Sequence, residues 1–322
     1  MRRFLVNGTV FFGLFLVLSY LWLYILGSYE RDMITNDLLF PVLRWDDFYD
    51  KEKVDLLVLG SSHCHRSYNS AIIDSMMDVS SFNMGSSAQT PTTSYAVLKE
   101  VFEHQQPDLV VLDLYHLIFE ADDQLRNARW NIENLSDLSS KIGFCKRAYS
   151  AREIGITAVA PFYGHRKNLE ALFYKLIGRN YLPRQKGSYT KGGYVKSEKV
   201  VSQAALERPN SFTNYLFDES KLVARHVKNL ESIISTCKAK GVKLILVTSP
   251  LPQYTFDQIQ NYNDIHNYFQ GYADHNQISY IDFNLQELSL IDTIHFSDVH
   301  HLNDKGATIV TKSLATQLNE LK

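Results

Sequence analysis

Three side chains able to carry acyl-transfer chemistry stand at opposite ends of the sequence. Near one end, Val54-Asp-Leu-Leu-Val-Leu-Gly-Ser-Ser-His-Cys-His65 is an apolar run that stops at a glycine and continues with two serines, a histidine, a cysteine and a second histidine. Near the other, Ser297-Asp-Val-His-His-Leu-Asn-Asp-Lys-Gly306 sets an aspartate three residues before a histidine, ahead of an amphipathic segment. A serine hydroxyl is a weak nucleophile until a neighbouring imidazole takes its proton. A carboxylate on the far ring nitrogen then holds that imidazole in the required tautomer. A serine of the first stretch, with Asp298 and His301 of the second, would supply the three groups in that chain order. The turn is not a Gly-x-Ser-x-Gly elbow, because Cys64 takes the last glycine's place. His63, His65, His116, His295, His300 and His301, with Asp113 and Asp298, also contain the ligand types of a zinc site. However, no histidine pair has helical ligand spacing, and neither a metal nor another cofactor is expected.

These residues need a scaffold that brings both ends of the chain together. Apolar runs of strand length occur at 54–60, 80–85, 107–116, 241–250 and 278–283. Helical patterns separate them, notably over 92–106, about 217–240 and the last twenty residues. In the helix after Pro91, Tyr95, Leu98, Val101 and Phe102 share one face. Strands alternating with helices predict a parallel sheet covered on both faces, a three-layer α/β fold with about five strands in flavodoxin-like order. In such a sheet the crevice lies beyond the carboxyl ends of the strands. Residues 60–65, 85–89, 113–116 and 249–252 should therefore share a rim. The stretch of about 117–215 breaks the rhythm. It reads as an insertion with helices near 160–178 and a loop over 179–199 rich in Lys, Arg, Gly and Tyr. That loop could bind an anionic glycan or headgroup, or be a solvated surface.

The sequence resembles the SGNH (GDSL-type) hydrolase superfamily over most of 54–116 and 240–320. Gly60-Ser61-Ser62 matches the first block's Gly-Asp-Ser, with Ser61 in place of the aspartate. Asp298-Val-His-His301-Leu-Asn303, with Gly306 after it, matches the last block, Asp-x-x-His. The resemblance implies Ser62 as nucleophile, His301 as base and Asp298 as its partner. In the second block, Phe82-Asn-Met-Gly85 makes Gly85 the implied oxyanion donor beside the Ser62 amide. The third block departs. Pro107-Asp108 and the apolar run are present, but Tyr115-His116-Leu117 stands where an oxyanion-holding Asn would follow. Ser86, Ser87 or Gln89 could compensate, and His63, Ser86, Gln89 and His116 are possible substrate contacts. The Ser-Ser variant behind an N-terminal anchor resembles extracytoplasmic branches that act on polysaccharide or teichoic-acid acylation beside a membrane-bound O-acyltransferase. It implies a serine esterase or O-acyltransferase working on cell-envelope polysaccharide.

Bulk properties set the compartment. The chain has 322 residues, 45% of them hydrophobic, and a net charge of −2. That is enough for one large core and gives no basic surface for nucleic acid. No charged residue falls between Arg3 and Glu30, longer than the roughly 20 residues that cross a hydrocarbon core. Arg2 and Arg3 precede this run, and Trp22, Tyr24 and Tyr29 lie toward its far end. The expectation is an uncleaved single-pass anchor over 1–29 in a bacterial cytoplasmic membrane, with its N-terminus cytoplasmic. A stalk over 30–53 and an extracytoplasmic domain over 54–322 follow. Cys64, Cys145 and Cys237 lack metal-like spacing and read as free thiols. The alternative is a non-catalytic protein that binds glycan or assists an acyltransferase, with the missing Asn marking a decayed site.

Overall fold

The computed structural model describes residues 2–32, 40–121, 125–149, 151–159, 173, 176–177 and 187–321. Helix α1, Arg2–Asp32, carries an apolar segment, Arg3–Trp22, long enough to cross a membrane. Most of that segment is unburied. Helix α2, Phe40–Tyr49, falls within the expected stalk but is an integral part of the domain. Its Trp45 and Phe48 are fully buried against the core, with the Phe48 ring edge-on to Phe82.

Seven strands follow: β1 (Leu56–Leu59), β2 (Ser81–Asn83), β3 (Leu109–Asp113), β4 (Ser188–Tyr189), β5 (Val195–Lys196), β6 (Lys243–Thr248) and β7 (Ser279–Asp282). Five form one parallel sheet in the order β2-β1-β3-β6-β7. Counted along the main sheet alone this is the order 2-1-3-4-5, the flavodoxin-like arrangement expected from the sequence. Alternate side chains feed two cores, as the period of two requires. Leu57, Leu59, Val110, Leu112, Leu244 and Leu246 face one. Leu56, Val58, Val111, Ile245 and Val247 face the other. Helix Pro91–His104 and helix Ala224–Ala239 pack on the first face, and helix Asp304–Glu320 covers the second with Ser70–Met77.

The helix boundaries have local causes. Thr90 caps the helix that Pro91 opens, accepting from the Thr93 amide, where the proline's missing N–H costs nothing. The helix expected from about 217 begins at Ala224 instead, because Asp218 caps a separate 3-10 turn over Glu219–Lys221.

Within the insertion, helices Leu125–Ile132 and Leu138–Ala148 add Ala128, Phe144 and Ala148 to the first core. The helices expected near 160–178 lie outside the described residues, apart from isolated positions. The described part of the 179–199 loop is the antiparallel β4–β5 hairpin. It docks on the edge strand β2: the Asn83 amide donates to the Gly192 carbonyl at 2.8 Å. A Cβ at Gly193, whose φ is +91°, would lie 1.9 Å from the Asn83 carbonyl oxygen. Only glycine lets the hairpin lie this close, and its docking covers an edge that would otherwise offer free backbone groups.

Candidate active site

The chain order reverses between β1 and β3, and the site is built there, from the loops that leave their carboxyl ends. β1 ends at Gly60, whose φ is +152° and whose missing Cβ would lie 2.8 Å from both Asp113 Cβ and Cys64 Cβ. The chain can turn here only without a side chain. Ser61 follows as the N-cap of a six-residue helix, α3, Ser62–Ser67, and its hydroxyl accepts from the His63 amide. Ser61 therefore acts as a helix cap. Ser62 is left at the first helical position.

Its partners come from the other end of the chain. Phe296 and Leu302 form an isolated antiparallel bridge, and the Ser297 amide donates to the His301 carbonyl at 2.8 Å. This closes a loop in which Asp298 Oδ1 accepts from the amides of His300 and His301 at 3.1 and 2.9 Å. Asn303 caps the C-terminal helix through the amides of Lys305 and Gly306, and its Nδ2 donates to the Ile294 carbonyl at 2.7 Å. Gly306 is needed because a Cβ there would lie 2.3 Å from the His295 carbonyl oxygen. The Asn and Gly that follow the Asp-x-x-His motif thus fix the loop.

The result is a continuous line of contacts from Ser62 through His301 to Asp298. His301 Nε2 lies 2.8 Å from Ser62 Oγ, and its Nδ1 lies 3.0 Å from Asp298 Oδ2. Burial pushes the Asp298 carboxyl up, but the hydrogen bond and charge of His301, then the charge of His300, hold it well below the usual carboxylate range. An ionised Asp298 places the proton on Nδ1 and leaves Nε2 to accept from the serine.

The residues around the relay divide sharply. His63 is buried, stacked on Tyr115 with ring centroids 3.7 Å apart, and its Nε2 lies 3.3 Å from His300 Nδ1. Burial, then the neighbouring His301 and His300, lower its pKa well below the ordinary value. His116 is 1% exposed and its Nε2 has no hydrogen-bond partner among the described residues; burial lowers its pKa to about 3. Its ring is flanked by Tyr215 and Phe212.

Ser86 and Gln89 do not open toward a substrate. Ser86 Oγ donates to Gln89 Oε1, Gln89 Nε2 donates to Ser94, and Asn131 Nδ2 donates to Ser86 Oγ. Both side chains are buried in this network. It continues to Arg44 on α2, which donates to the Gly85 carbonyl and to Asn131 Oδ1.

Gly85 is the expectation that geometry corrects. Its amide already donates to Asn83 Oδ1 at 2.9 Å, and it abuts Cys64 Sγ. Asn83 is a hub that the sequence reading passed over. Its Nδ2 donates to the carbonyls of Cys64 and Tyr68, tying β2 to α3. The loop then turns over Ser86–Gln89, closed by the Gln89 amide on the Ser86 carbonyl, with Ala88 at φ +50°. The amides of Ser62, Ser87 and Ala88 donate to no backbone carbonyl among the described residues. The signal for this turn was present as Gly-Ser-Ser-Ala-Gln, but the left-handed residue is an alanine rather than a glycine. Cys64 is fully buried, donates to Asn83 Oδ1, and burial raises its pKa well above the usual thiol value, so it is no competing nucleophile.

A protein-family model, which carries no descriptive name, matches residues 189–321, less than half of the chain. No curated protein matches. Solved structures similar to this chain include a Bacteroides fragilis protein described provisionally as an acylhydrolase. It has 13% identity and a TM-score of 0.43, and the match covers 86% of this chain and 94% of that one. Another is a GDSL-like lipase from Bacteroides thetaiotaomicron, with 11% identity and a TM-score of 0.41, covering 88% and 99%. At these scores the fold assignment rests on the strand order and register of the chain itself.

Proposed function

We propose that this chain is a membrane-anchored serine esterase or O-acyltransferase that acts on acyl esters of cell-envelope polysaccharide. The observation that carries the chemistry is the relay of Ser62, His301 and Asp298, drawn from positions more than 230 residues apart and meeting at hydrogen-bond distance. Ser62 Oγ attacks the ester carbonyl as His301 Nε2 takes its proton. The tetrahedral oxyanion is received by the Ser62 amide and, in place of Gly85, by an amide of the Ser87–Ala88 turn. His301 returns the proton to the departing alcohol, leaving an acyl-serine. Water resolves it in a hydrolase, and a sugar hydroxyl in a transferase. The apolar Arg3–Trp22 segment supports an anchor, and the arginines before it support an extracytoplasmic domain. Envelope glycan as substrate, and a membrane-bound O-acyltransferase as partner, rest on the resemblance of the Ser-Ser block.

The test is labelling by a fluorophosphonate probe together with hydrolysis of p-nitrophenyl acetate. Wild type should label and turn over, and Ser62→Ala and His301→Ala should do neither. A folded wild-type chain that does not label would sink the enzymatic reading. It would favour the second one, a non-catalytic glycan-binding or acyltransferase-assisting protein. Two observations lean that way: Leu117 stands in the place of the third-block Asn, and the Gly85 amide is engaged within the fold.

A further inference from the structure

We propose that His63, His300 and His301 bind a transition-metal ion of the zinc class, and that the bound ion takes His301 Nε2 away from Ser62. One ring nitrogen from each of the three lies within 4.8 Å of the others. His63 Nε2 and His300 Nδ1 are 3.3 Å apart. That is close to the roughly 3.3–3.4 Å edge of a tetrahedron whose nitrogens stand about 2.0–2.1 Å from zinc.

The far side of each ring is also prepared. An oxygen opposite a ligating nitrogen fixes the ring's tautomer and orientation in histidine metal sites. Here His63 Nδ1 faces Ser61 Oγ at 3.4 Å, and His301 Nδ1 faces Asp298 Oδ2 at 3.0 Å. His300 Nε2 lies 3.9 Å from Asp298 Oδ1, at ion-pair rather than hydrogen-bond range. With protons on those outer nitrogens, each ring keeps one unprotonated nitrogen to offer an ion. The fourth tetrahedral position falls to an oxygen, a water or the Ser62 hydroxyl, which already sits 2.8 Å from His301 Nε2.

The ligands stand on held elements. His63 lies in the first turn of α3, stacked on Tyr115, and His300 and His301 lie on the loop tied by Asp298 and Asn303. His63 is buried, whereas His300 and His301 are partly exposed, so an ion can arrive from solvent. An all-imidazole set selects zinc-like ions over calcium or magnesium, which need oxygen ligands.

Metal binding stands independently of catalysis, whereas the block of Ser62 rests on the serine-hydrolase reading. The experiment therefore measures both on the full chain in detergent after EDTA treatment. Zinc is titrated against a chromogenic chelator, and cobalt(II) is followed by its visible spectrum. Wild type should take up one zinc per chain, with the intense cobalt bands of a tetrahedral site, and affinity should fall at least tenfold in His300→Gln. His300 is outside the relay and partly exposed, so His300→Gln should fold, as circular dichroism will check, and should label with the fluorophosphonate. Saturating zinc should suppress labelling of wild type, EDTA should restore it, and His300→Gln should label with or without zinc. A wild type that labels but binds no zinc, or binds it as tightly as His300→Gln, overturns the metal site and leaves the hydrolase reading intact. Zinc bound through His300 with labelling unchanged overturns the competition with Ser62. Zinc bound through His300 in a wild type that never labels upholds the metal site and counts against the hydrolase reading alone.

Discussion

Asp113→Asn should make the protein more stable at neutral pH and remove a distinct part of its pH dependence. Asp113 ends β3 directly behind Gly60 and is 2% exposed. Its Oδ2 accepts from Tyr68 Oη at 3.0 Å, from the Ser249 amide at 3.2 Å and from Ser249 Oγ, while Oδ1 has no partner. Burial raises its pKa from 3.8 to about 6, and the bonds from Ser249 and Tyr68 offset only part of the rise. Because the folded value is the higher one, the native state holds the proton longer than the unfolded chain. Stability from this group is full below pH 3.8 and is lost as the pH climbs to about 6. At roughly 1.4 kcal/mol for each pH unit separating the two values, the loss above pH 6 is about 3 kcal/mol.

An asparagine keeps a carbonyl oxygen for Tyr68 and Ser249 and has nothing to ionise. The difference in unfolding free energy between variant and wild type should therefore grow by about 3 kcal/mol in the variant's favour between pH 4 and pH 7. For a domain of this class, that corresponds to roughly 6–12 °C in Tm. Urea unfolding followed by tryptophan fluorescence at several pH values measures it, and the subtraction cancels the other carboxylates. A difference that stays flat across the range would mean that Asp113 is ionised as readily in the fold as in water. The account of this buried network would then be wrong.

Other substitutions probe the framework and the relay. Gly60→Ala puts a Cβ 2.8 Å from two other Cβ atoms at a positive φ; it should cost about 2–4 kcal/mol in urea unfolding. Asn303→Ala removes a cap and leaves the Ile294 carbonyl short of its donor. A loss of about 1–2 kcal/mol is expected, with slower probe labelling as the His301 loop loosens. Asp298→Asn should leave the fold intact and lower p-nitrophenyl acetate turnover by on the order of 10³–10⁴, because the wrong tautomer of His301 is then favoured. Arg44→Met empties the donors to Gly85 and Asn131; about 2–3 kcal/mol of stability should go, read from the urea midpoint.

The sheet was legible because its strands are buried on both faces. Continuous apolar runs such as Leu56–Leu59 and the first four residues of β3 have few other places to go than a core. The meeting of Ser62 with His301 and Asp298 was legible for a different reason. Ser62 and the Asp298–His301 pair each sit on a capped helix entrance, and caps leave a short local pattern of Ser, Asn and Gly. What the sequence hid depends on contacts between distant segments. Nothing around Arg44 announces that α2 enters the core and reaches the Gly85 carbonyl, since the segment reads as a stalk behind a membrane anchor. Gly193 reads as one of three glycines in a basic loop, yet it is the point where the hairpin meets β2.

The oxyanion assignment failed for a related reason. The resemblance implies Gly85 as an oxyanion donor, but the Gly85 amide donates to Asn83 Oδ1 and its missing side chain makes room for Cys64. Glycine marks a place where a Cβ does not fit, and that can be a packing contact as easily as a catalytic one. The open amides lie further along, at Ser87 and Ala88, in a turn whose left-handed residue carries a methyl group. Holding an alanine there costs on the order of 1–2 kcal/mol. Ala88→Gly should therefore fold at least as stably as wild type. If the turn supplies an oxyanion amide, as proposed, the added backbone freedom should lower kcat for p-nitrophenyl acetate while KM stays near its wild-type value. A variant with unchanged kcat would remove the Ser87–Ala88 turn from the oxyanion hole and leave the Ser62 amide as the sole assigned donor.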